Sequence, residues 1–266
     1  MERQLGIVYV TYRETKLVEN IKNIVNEFRA FFNEKIFIVV IENNSEYEYT
    51  NSDLEEIEIE NVQLHFLLGA NGIYREFLMY DLGLQYLENS IKLKKDDLVF
   101  ITNNTFISSD IKKEIINKIK LNLDIKENKL LGHLDLYPKP PLLGGKLLES
   151  WIRSNSIFGT LSTFLKAGSF CPSNLLINEI LDLRVNSKDL LKNKSKNHDL
   201  LYKKYLETWL LNKYELDDFK QRKESIYKEL YKSKSNYIQV SWAIICEQLW
   251  SQKIKEKNIE IINTSN

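Results

Sequence analysis

Residues 5–45 read LGIVYVTYRETKLVENIKNIVNEFRAFFNEKIFIVVIENNS, and this stretch decides the fold. Residues 5–10 are a short apolar run ending at Thr11 and Tyr12, the pattern of a strand buried on both faces. Thr15 is placed to cap a helix, because Val18, Ile21, Ile24, Val25 and Phe28 follow it at three- and four-residue steps. Residues 35–41 form a second apolar run, rich in β-branched side chains, and it stops at the turn-forming cluster Glu42-Asn43-Asn44-Ser45. Two buried strands joined through an amphipathic helix make a βαβ unit, and such a crossover aligns its strands in parallel.

The same alternation continues outward. Residues 62–68 predict a third strand closed by Gly69 and Gly72, and residues 73–87 a helix with Phe77, Tyr80, Leu84 and Leu87 on one face. Residues 98–102 predict a fourth strand, followed by the polar turn Asn103-Asn104-Thr105. The class is therefore α/β, a Rossmann-type, mainly parallel sheet with helices on both faces. A helix is expected over 109–121, strands over 130–136 and 151–158, and a short helix over 161–167. Pro138, Pro140, Pro141 and the Gly144-Gly145 pair mark a long loop between the last two strands. Beyond Pro172 the chain turns helical and charged, with helices expected over 174–183, 198–213, 216–232 and 241–257 and a closing strand over 259–262. The Lys- and Asn-rich stretch 186–197 reads as a linker or insertion. These shifts divide the chain into a core, 1–172, and a mainly helical region, 173–266.

Composition narrows the function. Thirty-seven basic residues balance thirty-seven acidic ones, so net charge gives no reason to expect a nucleic-acid partner. Hydrophobic residues at 43% exclude disorder, and no apolar run approaches a membrane span. Cys171 and Cys246 could pair in principle, but the opening MERQLGIVYV lacks the apolar core of a secretory signal, which sets the expectation of a cytoplasmic protein with reduced thiols. Neither cysteine lies in a CxxC, and His65, His133 and His198 are scattered, against a zinc site. Charge is uneven: residues 42–60 carry eight acids and no base, and residues 184–234 carry fourteen bases against eight acids. Both stretches read as solvated faces. The basic one also fits anionic lipid headgroups, which would place the protein peripherally on the inner face of a membrane.

In open parallel sheets ligands bind beyond the carboxyl ends of the strands. Four clusters fall there: Thr11-Tyr12-Arg13, Glu42 to Ser45, Gly69 to Arg75, and Asn103-Asn104-Thr105. Their chemistry suits a nucleotide: Glu42 can accept from a base or ribose, Tyr12 can stack, and Arg75 can neutralise phosphate. A helix starting near Ile73 would turn its amide groups to the same edge. No GxGxxG, Walker-type loop or GxSxG elbow is present. Trp242 and Trp250 share a helical face with Ile245 and Leu249 and read as core; Trp151 and Phe158, near the Gly-rich loop, are placed to stack on a sugar. His133, within LLGHLDL, reads as half-buried and hydrogen-bonded.

VYVTYRETKLVENIKNIV followed by IFIVVIENNSE resembles the opening of family 2-type glycosyltransferases of the GT-A fold. NGIYREFLMYDLGLQYL and LVFITNNTF are similar, more specifically, to the REF and Asn-Asp-Thr segments of bacterial polysaccharide glycosyltransferases related to rhamnan-synthesis enzymes. ICEQLWSQKIKEKNIEII is similar to the segment where the wider superfamily carries an acid before a closing strand. The resemblance implies transfer of a sugar, with inversion, from a nucleotide-sugar donor to a glycan or lipid-linked acceptor in surface polysaccharide or lipopolysaccharide synthesis. It implies that residues 1–172 bind the donor and that 173–266 complete the acceptor side. By the same resemblance Thr11, Tyr12 and Glu42 border the nucleotide, and Asn71, Arg75 and Asp81 form or brace the donor pocket. Asn103, Asn104 and Thr105 stand where relatives hold Mg²⁺ or Mn²⁺ through an acidic motif. Asn104 replaces the expected aspartate, which removes the charge a hard cation prefers. Glu247 is the first candidate for the base that activates the acceptor, and Asp135, at a strand end beside the Pro-rich loop, is the second. Gln248 stands where a further acid is common. A relative that binds nucleotide-sugar without turnover is the alternative these amides favour. A nucleotidyltransferase would need metal-binding acids that the fourth strand end lacks.

Overall fold

The computed structural model describes residues 3–12, 14–43, 59–69, 76–107, 109, 111–136, 142–143, 146–147, 150–171 and 236–264. The acidic stretch 44–58, Asn71 and Arg75, the Pro- and Gly-rich loop positions, the linker 186–197 and the three helices expected over 174–232 lie outside the described residues.

The opening stretch folds as its pattern requires. Strand β1 is Leu5–Thr11, helix α1 is Leu17–Arg29 and strand β2 is Ile36–Glu42, with both strands buried throughout. Thr15 does not cap α1: Lys16 occupies the cap position with no side-chain bond, and the first turn carries Glu19 instead. Strand β3 (Val62–Leu68) follows, then α2 (Glu76–Tyr86), which runs into a π-helical turn at Leu87–Ile91. Strand β4 is Leu98–Asn103. The polar turn expected after it is a four-residue helix, α3 (Asn104–Ile107), in which Asn103 Oδ1 accepts from Thr105 N at 3.1 Å. Asparagine favours this place because its side chain mimics the missing carbonyl of the preceding turn.

Helix α4 is Lys112–Lys120 and β5 is Lys129–Leu136. Two-residue strands β6 (Leu142–Leu143) and β7 (Lys146–Leu147) pair with each other, and β8 (Ser150–Thr160) leads into α5 (Leu161–Ala167). Thr160 caps α5 by accepting from Thr163 N. Helix α6 (Asn236–Glu256) and strand β9 (Glu260–Asn263) close the described chain.

The main sheet has the order β3-β2-β1-β4-β8-β5-β9. Every pairing in it is parallel except the two made by β8, which lies antiparallel between β4 and β5. The α/β class with a mainly parallel sheet is thus what the structure shows. Side-chain alternation divides the core into two layers. Val8, Val10, Val39, Ile41, Val99 and Ile101 face α2, α5 and α6, whereas Ile7, Tyr9, Ile38, Val40 and Phe100 face α1, α3 and α4. Helix α2 approaches β1 so closely that a Cβ on Gly83 would lie 2.4 Å from Val8 Cγ1, so only glycine fits there. Residues from α6 and β9 share the first core layer with β1, β2 and β4, so this part of the C-terminal region completes the same sheet.

Candidate functional site

The carboxyl ends of β1, β2, β3 and β4 share one edge, as parallel pairing demands. Backbone bonds knit that edge: Asn43 N donates to Thr11 O at 2.8 Å, and Gly69 N donates to Glu42 O at 2.8 Å. Alternation then sorts the polar side chains into two groups, one on each face.

On the α1 face, Thr11 and Glu42 are both buried at the strand ends. Glu14, a residue that periodicity did not single out, organises the loop between them. Its carboxylate accepts from Tyr9 Oη at 2.5 Å, from Thr11 Oγ1 at 3.1 Å and from Asn20 Nδ2. Charge-assisted bonds of this kind hold a loop firmly. The loop so held presents Tyr12, which is 54% exposed, beyond the end of β1. An exposed ring on a fixed loop is what base stacking requires.

On the α2 and α6 face, Asn103 Nδ2 donates to Tyr80 Oη at 3.1 Å, while Asn103 Oδ1 accepts from Thr105 Oγ1 at 2.6 Å as well as from Thr105 N. Tyr80 is fully buried, and its phenol also contacts the Ser154 hydroxyl. Burial first, then the charge of Glu76, pushes the phenol well above its usual range; the Asn103 bond opposes this, Glu247 adds to it, and Ser154 opposes it. Tyr80 therefore stays protonated and serves as a fixed hydrogen-bonding post. Ser154 continues the chain: its N and Oγ both donate to Glu247 Oε1, at 3.0 and 2.8 Å. Asn103, Tyr80, Ser154 and Glu247 thus form one hydrogen-bonded chain, which ties Glu247 to the end of β4.

The residues expected from sequence are thus only partly brought together. Thr11, Tyr12, Glu42, Asn103, Asn104, Thr105 and Glu247 converge on the edge. Asp135 does not join Glu247. It lies on β5 just past the register shift between Gly132 and Leu134, paired with Trp151. There it is held by Arg153, whose Nε and Nη2 donate to its two oxygens at 2.7 and 2.9 Å, with His133 Nε2 at 3.6 Å. A carboxylate in a bidentate pair is a poor base, and the same pair neutralises Arg153. Trp151 is not a sugar platform either: it is buried in the α2 and α6 core layer with Ile152 and Ile157.

Asp81, expected to form or brace the donor pocket, braces the segment that follows α5. It accepts from Phe170 N at 2.8 Å, Cys171 N at 3.0 Å and Ser169 Oγ at 2.5 Å. Burial outweighs these bonds and the charge of Lys253, and holds the Asp81 carboxyl above its ordinary value. Its proton is then bound more tightly in the folded state than in the unfolded one. Linkage makes the resulting stability complete below the ordinary aspartate value and progressively lost as pH rises through it toward the raised one. The wild-type melting midpoint is expected to fall relative to Asp81→Asn across that mildly acidic window. A difference that stays constant with pH would remove this account.

The donor set at the end of β4 does not fit a hard divalent cation. Asn103 Oδ1 is occupied by two donors, and its neighbour is a second neutral amide. Mg²⁺ and Mn²⁺ favour carboxylate oxygen. Among the described residues no three His, Cys, Asp or Glu side chains converge to hold a metal ion.

No family model matches the chain, and no curated protein matches it. Among solved structures it is similar to a 4-diphosphocytidyl-2C-methyl-D-erythritol synthase at 10% identity and a TM-score of 0.41, over 63% of this chain and 79% of that one. It is also similar to Francisella tularensis 2-C-methyl-D-erythritol 4-phosphate cytidylyltransferase at 16% identity and a TM-score of 0.36, over 67% of this chain and 82% of that one. Likenesses of this extent say nothing of activity. Among the described residues no helix is long and apolar enough to cross a membrane.

Proposed function

We propose that the protein is a nucleotide-binding transferase, and within that class a glycosyltransferase that moves a sugar from a nucleotide-sugar donor to a glycan or lipid-linked acceptor. The observation that supports this reading best is Glu247, held by two Ser154 bonds and linked through Tyr80 to Asn103 at the end of β4. Parallel sheets bind ligands at that edge, and an exposed Tyr12 and a buried Glu42 stand along it for a base and ribose. In the proposed reaction the acceptor hydroxyl gives its proton to Glu247 while its oxygen bonds to the anomeric carbon. The bond from that carbon to the nucleoside diphosphate breaks with inversion. The sequence offers Arg75 for the charge growing on the leaving diphosphate.

A second reading, a relative that binds nucleotide-sugar without turnover, is favoured by the two amides at the end of β4. Thermal melting against UDP, GDP, CMP and dTDP, with and without Mn²⁺, tests the shared premise. One nucleotide is expected to raise the midpoint, and to do so without metal, because ligand bound only by the folded state adds RT ln(1 + [L]/Kd). Loss of that shift in Tyr12→Ala would tie it to the edge. No shift with any of the four would end both readings. Release of nucleotide from a donor of the responding base then separates transferase from binder.

A further inference from the structure

Cys171 and Cys246 are far apart in sequence but meet where the segment after α5 runs along α6. Three contacts set the register of that segment: Trp250 Nε1 donates to Gly168 O at 3.1 Å, Lys253 Nζ donates to Ser169 O at 3.0 Å, and Phe170 stacks on Trp250 with ring centroids 4.0 Å apart. Cys246 lies one turn before Trp250 on the same helix, and Cys171 is the next residue of the segment. Each thiol is the largest influence on the ionisation of the other, as expected of neighbours across this packed seam. Asp81 accepts from the Phe170 amide at 2.8 Å and the Cys171 amide at 3.0 Å, which fixes the backbone leading into Cys171. Cys246 is buried and Cys171 half-buried, and both are reduced thiols in this structure.

We propose that Cys171 and Cys246 form a reversible disulfide by exchange with a low-molecular-weight disulfide, fastening this segment to α6 one residue from Glu247.

The roles of the two sulfurs follow from their surroundings. Cys171 is the thiol a small molecule can reach. Contact with Cys246 draws its pKa below the ordinary thiol value, with burial and Asp81 opposing and Lys253 assisting. Its thiolate attacks one sulfur of the small disulfide; that S–S bond breaks, and one small thiol leaves with a proton. Cys246 has its pKa pushed far up, first by Cys171, then by burial, with Glu76 and Glu247 adding to it, so it waits as a protonated thiol. Once Cys171 is capped, the first of those influences is gone. The Cys246 sulfur then attacks the Cys171 sulfur, its proton goes to the second departing thiol, and two electrons have passed from protein to small disulfide. A disulfide needs sulfurs about 2.05 Å apart, so one partner must close in. Cys246 sits within a long helix, so the approach is made by rotation of the Cys171 side chain.

The test is to treat the full chain with excess oxidised glutathione, alkylate the remaining thiols and read intact and peptide masses. These are the chain's two cysteines, so the result is unambiguous. The expected product has neither thiol alkylated, carries no glutathione, yields a Cys171–Cys246 linked peptide and reverts with dithiothreitol. Cys246→Ala should instead keep glutathione on Cys171. Wild-type protein that ends as a stable glutathione adduct, keeps both thiols alkylatable, or forms covalent dimers would overturn the proposal. None of these outcomes depends on nucleotide binding or turnover.

Discussion

Glu247→Gln is expected to lose sugar transfer by roughly 10²–10⁴-fold, the usual contribution of a positioned general base, while keeping its nucleotide-induced rise in melting midpoint. The substitution changes the chemistry and little else. Glutamine retains an oxygen able to accept from Ser154 N and Oγ, so the two bonds of 3.0 and 2.8 Å that aim the side chain survive. What is lost is the capacity to take a proton from the acceptor hydroxyl. Turnover of donor and midpoint shift must therefore separate: the first falls, the second stays. Transfer at the parent rate would remove Glu247 as the base, and Asp135 could replace it only by breaking its bidentate pair with Arg153. If both readouts vanished together, the group would belong to the nucleotide pocket and not to the reaction.

Trp250→Ala is expected to destabilise the fold by about 3–5 kcal/mol, the range for removing a large aromatic from a packed core. Trp250 is 1% exposed and joins three parts of the molecule. Its ring stacks on Phe170 at 4.0 Å and lies nearly parallel to Phe164 at 6.4 Å, and its Nε1 donates to Gly168 O. Truncation would leave a cavity between α5 and α6 and strip the Gly168 carbonyl of its donor, a second cost on top of the lost packing. Urea denaturation checks this directly. A loss below about 1 kcal/mol would mean that the segment 168–171 collapses into the space at no strain, contrary to the volume and hydrogen-bond argument.

The strands and the helix stripes were legible because burial and spacing are local. The strands expected over 5–10, 35–41, 62–68 and 98–102 are β1 to β4, each within a residue at its ends, and Leu161–Ala167 is the short helix expected. Side-chain alternation repeats every two residues, and a helical stripe every three or four, so each is written within a short window. Loop chemistry is less local. Asn103-Asn104-Thr105 has the composition of a turn, yet Asn103 uses its carbonyl to start a helix, because the Thr105 amide and hydroxyl both lie within its reach. Glu14 carried a faint signal, standing three residues after Thr11 and six before Asn20, but nothing local says that one carboxylate binds all three partners.

By itself the sequence determined the α/β class, the parallel run β1, β2, β3 and β4, and the polar strand ends that share an edge. Each rests on contacts close along the chain, or on the crossover geometry that a strand–helix–strand order imposes. The tertiary structure alone decided that β8 inserts antiparallel beside β4, and with it the fate of every site residue after position 130. That insertion puts Ser154 against Glu247, sets Asp135 against Arg153, and buries Trp151. The approach of the segment carrying Cys171 to the helix carrying Cys246 has the same origin. Side chains separated by tens of residues meet only when the sheet order is fixed, and that order depends on the sum of many buried contacts rather than on any local pattern.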